Sequence, residues 1–110
     1  MKIRMNYGVM LFMAAFLLLG SAIFAGTWGP EEDRMDWASA QARCESKGMR
    51  LPTRSELLAV FRSGLAKSWM HDYYWTGEEA SPGNAYDVHV IRGEVYNFVK
   101  YGSSYVRCIL

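Results

Sequence analysis

The chain has 110 residues and a formal net charge of +1, with 51% hydrophobic and 21% charged residues. A chain of that length holds one domain, which excludes doubly wound dinucleotide-binding folds and (β/α)₈ barrels, and so much apolar content excludes a disordered chain. Near-neutrality leaves no electrostatic footprint for nucleic acid, so no nucleic-acid partner is expected.

Lys2 and Arg4 open the chain, and Val9 to Leu19 is an uninterrupted apolar run. Gly20, Ser21, Ala22 and Ala25 then supply the small residues a signal peptidase needs. The three parts predict a secretory signal over residues 1–25 and a folded domain over 26–110. Cleavage after Ala22 and cleavage after Ala25 both fit. The competing reading is an uncleaved anchor, because Tyr7 to Ala25 approaches the roughly 20 residues that span a bilayer. Such an anchor is the one membrane association expected. The expected location is therefore secreted, periplasmic or cell-surface. Export gives meaning to Cys44 and Cys108, the only two cysteines. They predict a single disulfide, which suits a small exported domain with a modest core. Closing so long a loop is worth about 4 kcal/mol in the chain-entropy model.

Residues 26–35 read as a polar lead-in with Gly and Pro. Asp36 suits the N-cap of a helix from Trp37 to about Lys47, with Trp37, Ala40 and Cys44 on one face and Gly48 beyond its end. Thr53 and Glu56 have capping-box spacing for a second helix. Its predicted apolar face is Leu57, Leu58, Phe61 and Leu65, and Gly64 stops it. The period then changes from 3.6 to 2. Tyr73 to Thr76 is a short aromatic strand, and residues 77–84 form a loop by composition. Ala85 to Ile91 alternates, with Tyr86, Val88 and Val90 on one face and Asp87 and His89 on the other. Arg92-Gly93 turns the chain into a return strand from Glu94 to Val99. Gly102 to Ser104 makes another turn before a last strand from Tyr105 to Leu110, with Val106, Cys108 and Leu110 inward. Two helices followed by a small antiparallel sheet make an α+β fold.

Several of these segments form a familiar series. It runs Trp37…Ala40…Cys44, Gly48-Met49-Arg50-Leu51-Pro52-Thr53-Arg54-Ser55-Glu56-Leu57, Tyr74-Trp75-Thr76, Ala85-Tyr86-Asp87-Val88, Gly93-Glu94-Val95 and Tyr105-Val106-Arg107-Cys108-Ile109. The series resembles the Lcl-type C-terminal domain family. It is also similar to the lectin-like tip domains of intimin- and invasin-type bacterial adhesins. The resemblance implies a compact C-type-lectin-like domain in which Trp37, Arg50, Leu51, Pro52, Thr53, Glu56, Trp75 and Arg107 are structural. The Glu-Pro-Asn and Trp-Asn-Asp motifs of calcium-dependent sugar lectins do not occur in the chain. A sugar–calcium site is therefore not implied.

No constellation of nucleophile, base and orienting group appears, and neither does a phosphate loop or a zinc spacing, so no enzyme activity, catalytic residue, cofactor or metal is expected. Asp87 and His89 read as solvated polar residues. Trp69, His71, Tyr73, Arg92, Tyr96 and Tyr101 are the candidate ligand-binding residues, because aromatic and Arg side chains beside polar loops are common recognition surfaces. The expected function is an exported bacterial binding module that recognises a surface protein or glycan in the manner of an adhesin. The alternative is a periplasmic accessory or inhibitor protein with a partner in an envelope or secretion complex.

Overall fold

A computed structural model describes residues 27–110. The signal predicted over residues 1–25 lies outside them. The elements in chain order are β1 (Trp28–Met35), α1 (Trp37–Ser46), α2 (Arg54–Ser63), a 3₁₀ turn (Leu65–Ser68), β2 (Tyr73–Ser81), β3 (Asn84–His89), β4 (Glu94–Val99) and β5 (Ser104–Ile109). The fold is α+β, with two helices, one five-stranded sheet in the order β1-β5-β2-β3-β4, and one disulfide. No helix among the described residues is long and apolar enough to cross a membrane.

Both helices start where the sequence places them. Asp36 accepts a hydrogen bond from the Ser39 amide at 2.8 Å. Thr53 and Glu56 form the reciprocal capping box, and Arg50 forks onto both Glu56 oxygens at 2.8 and 2.9 Å. Gly64 closes α2 at φ 76°, the left-handed conformation glycine adopts without steric cost. The buried stripe of α2 is Leu57 and Val60, whereas Phe61 and Leu65, expected on that face, are substantially exposed. Phe61 instead lies against Gly93, whose φ of 72° makes the turn after β3 and where an added Cβ would meet the ring at 2.6 Å.

Four further expectations fail. Residues 28–35 are a strand rather than a lead-in, paired antiparallel with β5 through two register shifts. β1 is an edge strand, where Pro30 needs no ladder partner and Asp33 and Arg34 face water while charged Glu32 is buried, so no alternation marks it. Residues 77–81 continue β2, and the expected loop shrinks to Pro82-Gly83. Register shifts between Trp75 and Ser81 let Glu78 and Glu79 point to Arg54 and Lys100. Leu110 is not inward but 66% exposed, because β5 ends at Ile109. The sheet is also mixed, since β5 runs parallel to β2.

Alternation along the strands splits the core in two. Trp75, Ala85, Val106 and Cys108 face α1 and pack with Trp37, Ala40, Cys44 and Leu51. Tyr74, Val88 and Val90 face α2 and pack with Leu57, Val60, Ala66 and Trp69. The Cys44–Cys108 bond fixes α1 to β5. Trp37 Nε1 donates to the Thr76 carbonyl and Trp75 Nε1 to the Met35 carbonyl, both at 2.8 Å. Buried Glu32 on β1 takes Arg43 at 3.0 Å and Lys47 from α1. Burial pushes its carboxyl upward, but the bonds from Lys47 and Arg43 outweigh that and hold it below the ordinary value.

The disulfide constrains the unfolded chain of a domain with two small cores. Cys44→Ala with Cys108→Ala should therefore lower the unfolding free energy by roughly 2–5 kcal/mol in urea denaturation. A loss below about 1 kcal/mol would show that the bond adds nothing to the packing around it.

Candidate binding cleft

Among the described residues, α1 makes its main contacts on β5 and β2 and leaves Asp87 and Tyr96 of that sheet face in a cleft. A cleft of about 380 Å³ opens there. Every strand contributes to it: Arg34 from β1, Ser104 from β5, Tyr73 from β2, Asp87 from β3, and Tyr96 and Phe98 from β4. Asp72 and Ser103 complete the rim. The register explains the convergence, since Asp87 pairs with Trp75 on one side and Tyr96 on the other, and cross-strand partners share a face.

The walls are aromatic. The Tyr73 and Tyr96 ring centroids are 5.7 Å apart, and those of Tyr96 and Phe98 are 6.2 Å apart. The Tyr73 hydroxyl donates to Glu94 at 2.8 Å, and Arg92 donates to the same carboxylate at 3.1 Å. On the rim Arg34 donates to the Ser103 carbonyl at 3.1 Å and meets Asp72 at 3.4 Å. That pair is half-exposed and contributes little to stability.

The floor is Asp87, only 2% exposed. Its Oδ2 accepts from the Ser104 hydroxyl at 2.7 Å, and its Oδ1 has no partner. A buried carboxylate normally accepts several hydrogen bonds. Burial pushes the Asp87 carboxyl up to about 6; the Ser104 hydroxyl and the residue's own backbone amide only partly oppose this, and the charge of Asp72 adds to it. His89, the next inward residue on β3, is 5% exposed. Its Nδ1 accepts from the amides of Ile91 and Arg92 at 3.3 and 3.2 Å and shapes the hairpin turn. Burial, with Arg92 nearby, holds its imidazole below the ordinary value. Asp87 and His89 are therefore not solvated polar residues. They sit under the rings of the β2 and β4 aromatics, which the alternation of β3 alone does not reveal.

Of the six candidate ligand-binding residues, Tyr73 and Tyr96 line the cleft and Arg92 stands beside them, its guanidinium 6.0 Å from the Tyr73 ring centroid. Trp69 lies on the other face of the sheet, packed between Trp28 and Tyr74 beneath the Arg107 guanidinium. His71 is exposed and bonded to the Lys67 carbonyl. Tyr101 projects from the β4–β5 turn, 87% exposed and outside the cleft lining. Arg34, Asp72, Asp87, Phe98 and Ser104 were not among the candidates. The one signal for them is an Asp in mid-strand among residues of high strand propensity, a position that disfavours it.

Because the folded state holds the Asp87 proton more tightly than the unfolded chain, its contribution to stability is fully present below about pH 4 and is lost as pH rises through about 6. Asp87→Asn should therefore stabilise the protein at pH 8 by on the order of 3 kcal/mol, with the difference vanishing near pH 4. Urea denaturation across that range checks this; an Asn variant less stable at every pH would contradict it. No protein-family model and no curated protein matches the chain, so the chemistry of the cleft is read from its own residues.

Proposed function

We propose that this chain is an exported binding module that recognises a surface protein or glycan through the cleft over β3 and β4. The observation that carries this reading is the cleft itself: a concave, aromatic-walled site with a buried carboxylate whose hydrogen bonding is incomplete. Recognition sites combine large rigid rings with a few placed polar groups in this way. The disulfide suits an oxidising compartment, in keeping with the predicted secretory signal. The resemblance to the Lcl-type domain and to adhesin tips supplies the wider context, a C-type-lectin-like scaffold that presents a binding surface. Fold alone does not carry function, so the weight rests on the site.

Tyr73→Ala with Tyr96→Ala removes two walls and leaves both buried clusters intact. In a glycan-array and host-surface binding assay the oxidised protein should bind saturably, and the double variant should bind at least about tenfold more weakly, as expected when aromatic anchors are truncated. Binding that survives the double substitution unchanged would remove this face from the function.

A further inference from the structure

Asp87 is the feature that the scaffold does not account for. It is 2% exposed, lines the cleft, spends one oxygen on Ser104 and leaves the other without a donor. A carboxylate placed so needs a donor, and its charge calls for a cation. The surrounding chemistry is of one kind. Tyr73, Tyr96 and Phe98 present rings, and ring faces attract ammonium and guanidinium groups. Asp72 adds a second carboxylate at the rim. Among the described residues the one cation in the lining, Arg34, is engaged by Asp72 and the Ser103 carbonyl. A divalent metal wants several oxygen ligands, and among the described residues no group of three acidic, His or Cys side chains is placed to hold one. An organic cation, by contrast, suits one carboxylate and a ring wall.

We infer that the cleft receives a cationic side chain, a lysine ammonium or an arginine guanidinium, presented by a protein partner, with Asp87 as its counter-ion and Tyr73, Tyr96 and Phe98 as its walls. This rests on the binding-module reading and narrows it to a protein partner carrying a basic residue. The inserted cation pairs with the Asp87 carboxylate, while its aliphatic stem packs on the rings. The ionisable groups lining the cleft with Asp87 are Arg34 from β1, Asp72 and Tyr73 at the start of β2, and Tyr96 on β4, with His89 next inward on its own strand and the Arg92–Glu94 pair at the hairpin beyond it. Asp87 is buried and its carboxyl is pushed up to about 6, so ionisation of the floor separates pH 5 from pH 7.5.

The test is an amide NMR titration of the oxidised protein with blocked Gly-Lys-Gly and Gly-Arg-Gly peptides, their norleucine and citrulline counterparts, and the neutral sugar chitobiose. Saturable shifts centred on Asp87, Ser104 and Tyr96 are expected with the lysine or arginine peptide and not with the neutral ones. Affinity should fall about tenfold between pH 7.5 and pH 5, as the carboxylate fraction falls. Asp87→Asn should cost at least about tenfold and abolish the pH dependence. Equal binding of the neutral peptides, or unchanged affinity in Asp87→Asn, overturns the inference. Shifts at the cleft with chitobiose alone overturn it too, yet leave the binding-module reading standing. That reading falls separately, when surface binding ignores Tyr73→Ala with Tyr96→Ala.

Discussion

The bond between Cys44 and Cys108 decides which part of the sheet is covered and which is left open. Five strands present two faces, and the described residues supply one ten-residue helix for each. A helix that short spans about 15 Å and cannot roof a whole sheet face. Tied to β5, α1 closes over Trp75, Val106 and Ala85 and stops short of Asp87 and Tyr96. The two indole donors then lock the arrangement, since Trp37 and Trp75 each reach a backbone carbonyl far away in the chain. What remains uncovered is walled by rings from β2 and β4 and rimmed by Arg34, Asp72 and Ser103, and so becomes a cleft.

Asp87 sits where the covered and open parts of this face meet. The cost of burying a carboxylate with one oxygen unpartnered opposes folding, and the rest of the structure carries it through packing and the disulfide. An apolar residue there would fill the same strand position without that cost. A site that works against stability while lining a cavity has the physical profile of a recognition or proton-responsive group. His89, two residues on, shows the contrast: it is also buried, but both of its Nδ1 contacts serve the hairpin, so the scaffold accounts for it.

Local signals in the sequence were legible wherever one residue fixes one backbone feature. Asp36, the Thr53–Glu56 pair, Gly64 and Gly93 each specify a cap or turn through their own chemistry, and each does so in the structure. The cysteine pair was legible because only one pairing exists. β1 and the second half of β2 were not, because edge position and register shifts erase the period-two pattern. The cleft was legible only in part. Tyr73, Tyr96 and Arg92 stand out as aromatic and cationic residues near loops, whereas Arg34, Asp87 and Ser104 come together through β1–β5 and β2–β5 pairing, which spans most of the chain. No local pattern carries that information.

The buried carboxylate is most directly tested by a carbon-13 NMR titration of the Asp87 side-chain carboxyl in the oxidised, ligand-free protein. A midpoint near pH 6 is expected, because burial on the cleft floor outweighs the Ser104 hydroxyl and the residue's own amide. A midpoint near 4, the ordinary value for a solvated aspartate, would mean that the floor of the cleft is open to water and that Asp87 holds no unmet charge for a ligand to answer.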